Sequence, residues 1–419
     1  MRAAPLIKRL GLSLAALGAA LVAAELALER WFPVGGVVYR LDAELLHDAR
    51  PDAARIQPMP RARVGPGDAA RVLVTTGPEG MRGRGLDRSG ERPRVLVMGD
   101  SLVMAENVPA GSTFVSQLTR ALEEELDLPA RSLEGVNAGR SGYGPDQSLL
   151  LLERRAREIQ PSLVVFVLCA HNDLGDLARN RLFALDGGMI VRRSPGVAPR
   201  IEEWFREGER AANRPALLRL LDALRAGGPV EDEFRGDPVP LYLAALRQQW
   251  DDALAGRPVD SLFEDIHDVD VALGMDVSGG AKVALLAGIA RGVLGIAERS
   301  PASFGLERAA PVHFVVVPSA VDVCRPFGIT VDPAIHAGYD PEALAATHVG
   351  ALRSAGAERI HDLDPPLRAL EAPEELFVGG TDIHWNARGQ RWAARLVARH
   401  MAADPETVAS LRSDPPSGR

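Results

Sequence analysis

Lysine is nearly absent from this 419-residue chain: Lys8 and Lys282 are the only two, and arginine supplies almost all the positive charge. Cysteine is equally scarce, with Cys169 and Cys324 alone. Two cysteines cannot build a disulfide framework in a chain of this length. Both lie at or near the ends of strand-like apolar segments and read as small buried thiols, although an exported location would permit a bridge between them. Aromatic residues make up only 5% of the chain, and there is no excess of positive charge, the net charge being −8. No overall field exists to draw in nucleic acid, so no nucleic-acid partner is expected. What is present, 46% hydrophobic and 25% charged residues, is the balance of an ordinary globular protein. General disorder, a collagen repeat and a small disulfide scaffold are excluded. The alanine-rich, arginine-for-lysine composition matches a high-GC bacterial genome.

One apolar run, from Leu10 to Leu28, is broken only by Ser13 and Glu25 and is long enough to cross a bilayer as a helix. Arg2, Lys8 and Arg9 precede it, which predicts a cytoplasmic N-terminus and export of everything that follows. We read residues 1–30 as a single-pass anchor in the bacterial inner membrane, with the rest of the chain periplasmic or extracytoplasmic. The alternative is a signal peptide with small residues at Val22-Ala23-Ala24 for cleavage, giving a secreted form.

Residues 31–90 are rich in Pro, Gly and Arg, carry little periodicity, and read as a stalk and lead-in. From there strands and helices alternate. Arg94 to Met98, Leu133 to Asn137, Ser162 to Cys169, Val312 to Val317 and Arg359 to Leu363 are strand-like. Ser112 to Glu125, Pro145 to Ile159, Pro341 to Ser354 and Asn386 to Met401 are helical, with Ser112 a candidate N-cap and Pro145 in a first turn. The fully apolar Ser162–Cys169 segment suits a strand buried on both faces of a parallel sheet. This pattern predicts an α/β fold with a doubly wound parallel sheet, spanning 91–402. It is interrupted by a helical insertion at about 176–305 and followed by a flexible tail at 403–419. Segments Ala216–Leu224 and Leu241–Leu254 carry helical spacing. A cap that shapes a pocket, a peripheral decoration and a surface for an envelope protein partner are all readings of the insertion.

In such sheets ligands bind beyond the carboxyl ends of the strands, and the polar clusters fall there: Asp100-Ser101, Asn137 to Gly142, and His171-Asn172-Asp173. A serine hydroxyl needs a base within reach to act as a nucleophile. Ser101 is the candidate nucleophile, His384 the base, and Asp382 the acid that holds the imidazole tautomer. An anionic tetrahedral intermediate needs preorganised donors, and the Ser101 and Gly142 N–H groups and the Asn172 amide are candidates. Other residues have blander readings. Asp173 reads as structural, Arg140 as a solvated arginine or a contact for an anionic substrate, and His171 as either a pocket or a structural residue. Asp265, His267, Asp268 and Asp270 match no standard metal-ligand spacing and read as a solvated acidic loop. Trp385 and Trp392 lie seven apart and read as core.

These blocks resemble the SGNH hydrolases, also called GDSL esterases and lipases. Gly99-Asp100-Ser101-Leu102 matches the first block. Asn137-Ala138-Gly139-Arg140-Ser141-Gly142, His171-Asn172-Asp173 and Asp382-Ile383-His384 resemble the second, third and fourth, in family order. The resemblance implies a three-layer α/β/α, flavodoxin-like fold and metal-free acyl-ester chemistry with no cofactor. It implies a catalytic triad of Ser101, Asp382 and His384, and an oxyanion hole from Ser101, Gly142 and Asn172. Two positions depart from the family pattern. Ala170 stands where the family has glycine, and the acid–base spacing is Asp-x-His instead of Asp-x-x-His, with Thr381 at the usual acid position. The shorter spacing is similar to that of alginate-type O-acetyltransferases of the same superfamily. Three readings follow. The first is an extracytoplasmic serine esterase acting on a small-molecule, lipid or carbohydrate acyl ester. The second is an O-acyltransferase of cell-surface polysaccharide, and the third a catalytically silent binding component of the envelope.

Overall fold

The protein is represented by a computed structural model that describes residues 3–31, 38–58, 71–225, 236–324 and 327–412. Arg2, residues 226–235 and the chain after Arg412 lie outside them. Helix α1 (Ala3–Trp31) holds the apolar run. Its Lys8–Glu29 stretch, 22 residues of mean hydropathy 1.9 and wholly unburied, is long and apolar enough to cross a membrane.

The described residues of the expected stalk and lead-in include four strands. Antiparallel strands β1 (Tyr39–Asp42) and β2 (Leu46–Ala49) form a hairpin, and β3 (Ala54–Pro58) pairs with β4 (Arg71–Thr75). Leu45, Leu46, Val72 and Val74 are buried in the main core. The short strands left no periodicity to read because their burial depends on the body they pack against.

The central sheet is parallel and five-stranded: β5 (Arg94–Met98), β6 (Glu134–Asn137), β7 (Leu163–Cys169), β10 (Val312–Val317) and β11 (Ile360–Asp362), in the spatial order β11-β10-β7-β5-β6. Side chains alternate across a strand, so each continuous apolar run feeds two cores. Leu96, Val164, Phe166, Leu168, Phe314 and Val316 enter one, while Val95, Val97, Val165, Val167, Val315 and Val317 enter the other. Short α2 (Ser101–Met104) follows β5, and α3 (Phe114–Glu125) leads to β6. Thr113, one residue past the expected Ser112, is the N-cap of α3, its hydroxyl accepting from Ser116 N–H. Helix α4 (Pro145–Ile159) leads to β7, and α5 (Asp173–Asn180) follows it.

The insertion is only partly helical. Strands β8 (Phe183–Asp186) and β9 (Met189–Arg192) form a hairpin closed by Gly187-Gly188, both at positive φ. Helices α6 (Pro199–Ala212), α7 (Ala216–Arg225), α8 (Val239–Ala255) and α9 (Val269–Ala272) follow. Glu25 of α1 accepts from the N–H groups of Ala216 and Leu217, and Glu29 pairs with Arg219, so α7 is tied to the end of the apolar helix. Helix α10 (Ala281–Leu294) belongs to the sheet's own helical layer, packing with α4 and with α12 (Ala343–Ser354) in the main core.

After β10 come α11 (Ala320–Val323), α12 (Ala343–Ser354), β11 and α13 (Asp364–Arg368). An antiparallel hairpin follows, β12 (Phe377–Gly379) and β13 (Asp382–Trp385), then α14 (Ala387–Ala402). Phe114, Leu118 and Leu122 of α3 and Ala394, Val397 and Met401 of α14 form the helical stripes of the second core. Within the expected tail, α15 (Pro405–Arg412) buries Thr407 and Leu411.

Candidate active site

Ser101 opens α2 at the carboxyl end of β5, and Asp100 caps that turn by accepting from Leu102 N–H at 2.8 Å. Burial pushes the Asp100 carboxyl up to about 6, against the pull of the Leu102 N–H and of His384. The chain returns to this point 283 residues later. His384 Nε2 lies 2.7 Å from Ser101 Oγ, and His384 Nδ1 lies 2.6 Å from Asp382 Oδ1, which also accepts from His384 N–H at 2.9 Å. The Asp-x-His spacing works because both residues sit in strand β13, where positions two apart share a face. Ile383 and Trp385 point the other way and anchor the strand in the second core. Thr381 precedes the strand. Trp385 is therefore a strand residue, and Trp392 lies on α14, with both packed against that core.

Burial by itself would lower the His384 imidazole. The hydrogen bond and charge of Asp382, with the Asp265 and Asp100 carboxylates, outweigh it and raise His384 to about 9.

The loop after β6 carries Gly142 at φ +74°. A Cβ there would lie 2.5 Å from the Phe263 ring, so the position requires glycine both for its backbone and for its space. Its carbonyl accepts from Arg179 Nη2 at 2.7 Å, while among the described residues its N–H has no acceptor. Gly139, earlier in the loop, packs on the α2 backbone, where a Cβ would stand 2.3 Å from Met104 N. Arg140 N–H donates to Gly99 O at 3.1 Å, joining this loop to the Ser101 turn.

Asn172 is the N-cap residue of α5, at the end of the neighbouring strand β7. Its Nδ2 donates to Asp176 Oδ2 at 2.9 Å, which orients the amide and leaves the second Nδ2 hydrogen without an acceptor among the described residues. Asp173 is structural, accepting from Cys169 N–H at 2.8 Å, and burial pushes its carboxyl well up. Ala170 is fully buried and continues the sheet pattern, its N–H donating to Val317 O at 2.9 Å.

Two expectations are corrected. Arg140 is neither solvated nor free for substrate: it is fully buried, with Nε 3.0 Å from Asp48 Oδ1. The acidic segment is not a solvated loop, because His267, Asp268 and Asp270 are all fully buried. His267 pairs with Asp322 at 2.9 Å, and Lys282 Nζ lies 2.8 Å from Asp270 and 3.4 Å from Asp268. Only Asp265 of the group is exposed, 3.7 Å from His171 Nε2. Among the described residues no three His, Cys, Asp or Glu side chains converge to hold a metal ion. Cys169 and Cys324 are free buried thiols, as their positions near strand ends suggested, with no bridge between them. His171 is buried, its Nδ1 2.8 Å from Ser319 Oγ.

Sequence reasoning passed over Tyr39, His47 and Phe263, which surround the Gly142 loop. Their signal is tertiary alone. Phe263 lies at φ +68° in a polar stretch, and its ring stands 4.6 Å from that of His47. A cavity of about 700 Å³ opens at the sheet edge beside β6, near Arg82, Arg92 and Glu134, and none of the Ser101–His384–Asp382 residues lines it.

No family model matches the chain, and no curated protein matches it significantly. The functional reading therefore rests on the residues themselves.

Proposed function

We propose that the protein is a serine ester hydrolase of the SGNH type, held at a membrane by α1 and acting on an acyl ester outside the cytoplasm through an acyl-enzyme. The observation that carries this reading is the continuous hydrogen-bonded line from Ser101 Oγ through His384 to Asp382, at 2.7 and 2.6 Å. Asp382 accepts a hydrogen bond from the Nδ1–H of His384, which holds that tautomer and leaves Nε2 to receive the proton of Ser101 as Oγ attacks the acyl carbon. The N–H groups of Ser101 and Gly142 and the Asn172 amide stabilise the oxyanion. The leaving alcohol takes the proton from His384, and water, activated by the same base, releases the acid. The strand order, 2-1-3-4-5 when the sheet strands are numbered along the chain, supports the flavodoxin-like SGNH architecture, with the site at the switch point between β5 and β7. Helices on both sheet faces support its three layers.

The Asp-x-His hydrogen bond also supports a second reading, an O-acyltransferase in which a polysaccharide hydroxyl replaces water. The full-length chain, assayed on p-nitrophenyl acetate with and without added oligosaccharide, separates these. We expect Ser101→Ala to abolish turnover. Retained turnover would sink the triad. Acylation of the sugar faster than ester hydrolysis would replace the hydrolase with the transferase, and no reaction with any ester or acceptor would favour a binding role.

A further inference from the structure

The β1–β2 hairpin, read from sequence as part of a stalk, reaches the loop that carries Gly142. Tyr39 Oη accepts from Ser141 N–H at 2.9 Å and donates to Glu106 at 3.2 Å. His47 Nε2 lies 3.0 Å from the Ser141 carbonyl. Arg179 holds the Gly142 carbonyl. Of the four backbone polar groups of Ser141 and Gly142, three are thus engaged and only the Gly142 N–H is open among the described residues.

The tautomer of His47 follows from its neighbours. Gly144 N–H and Asn180 Nδ2 both donate to Gln147 Oε1, at 3.0 and 2.7 Å, so the Gln147 Nε2 donor is the atom that faces His47 Nδ1, at 3.5 Å. A donor at Nδ1 leaves the ring proton on Nε2, and His47 donates to Ser141 O. Burial lowers the ring to about 4, so it stays neutral near pH 7. In a planar trans peptide the carbonyl of one residue and the N–H of the next point in opposite directions. Holding Ser141 C=O therefore orients Gly142 N–H. The hairpin is itself fixed: Tyr143 Oη donates to His47 O at 2.9 Å, and the buried Asp48–Arg140 pair ties β2 to the same loop.

We propose that His47 is a positioning residue for the oxyanion donor, the β1–β2 hairpin acting as a clamp that aims Gly142 N–H at the acyl oxygen. This rests on the serine-hydrolase reading above. Positioning a donor acts on the transition state rather than on substrate binding, so kcat should fall while KM holds.

The test compares full-length wild type with Ser101→Ala, His47→Ala, His47→Gln and Tyr39→Phe on p-nitrophenyl acetate, with melting midpoints recorded for each. His47→Ala should lose roughly 10- to 100-fold in kcat, less than or comparable to loss of a whole oxyanion donor, with little change in KM. His47→Gln, which keeps an N–H donor, should recover part of that loss. The pH profile should keep its position, because His384 is untouched. Tyr39→Phe keeps the ring and removes the acceptor for Ser141 N–H together with the donor to Glu106. It should lower kcat at an unchanged melting midpoint, and it serves if His47→Ala does not fold. Ser101-dependent turnover with wild-type kcat in His47→Ala, or in Tyr39→Phe where His47→Ala does not fold, overturns the clamp alone, as does His47→Gln no better than His47→Ala. A wild type without Ser101-dependent turnover overturns the hydrolase reading and the clamp with it.

Discussion

His384 sits between three carboxylates, and the result is a strong base that is protonated near pH 7: its pKa is raised to about 9 by Asp382, Asp265 and Asp100. A general base must be neutral to accept a proton. We therefore expect kcat/KM for ester hydrolysis to rise with pH up to about 9 and then level, a profile that a pH-stat assay reads directly. Asp382→Asn removes the largest raising influence, so the plateau should begin at lower pH. It should also cost about 10³- to 10⁴-fold in kcat, because the tautomer is no longer enforced. Gly142→Ala meets both a positive φ and the Phe263 ring, and kcat should drop by at least about tenfold while the fold survives. Adding Phe263→Ala should relieve the contact without relieving the backbone strain, so recovery should be incomplete. These residues were legible in sequence because Ser101, Asn172 and His384 lie in short blocks at element ends. Tyr39 and His47 were not, since His47 meets Ser141 across 94 residues of chain.

At the scale of elements, the strand β13 explains how the Asp-x-His spacing brings Asp382 and His384 together. Two residues apart is one face of a strand, and the Gly379-Gly380 turn at positive φ folds that strand back against β12. The β7 run was readable because it is buried on both faces and carries no polar residue, and β10 is buried throughout with His313 its one polar residue. The short strands of the lead-in escaped notice because their burial is supplied by other elements. Lys282 illustrates the same limit. On sequence it is one of two lysines; in the fold its fully buried ammonium on α10 sits between Asp268 and Asp270. Lys282→Met leaves two buried carboxylates without their cation. Unfolding in urea should show a loss of about 3–5 kcal/mol, the range for breaking a buried ion pair from one side.

For the whole molecule, α1 is the decisive element for location. Leu14 and Leu21 on it are 61% and 49% exposed, surface that a soluble chain would have to leave in water. The full-length chain should sediment with membranes, resist a salt wash and yield to detergent. Replacing Leu14 and Leu21 with arginine should release it, since each charge costs about 2.5–3.5 kcal/mol at the centre of a membrane helix. The mass of the membrane-bound N-terminus would separate an anchor from a cleaved signal. By itself the sequence determined the alternation of strands and helices, the apolar helix ahead of them and the chemical groups at the strand ends. These are local properties: periodicity, run length and residue type act over a few neighbours. Only the tertiary structure decided which groups meet. It brought His384 to Ser101 over 283 residues, buried Arg140 and Lys282 with their carboxylates, and turned an apparent stalk into the support of the Gly142 loop. Such pairings depend on how the two cores close around the sheet, which is a property of the packed chain and not of any segment in it.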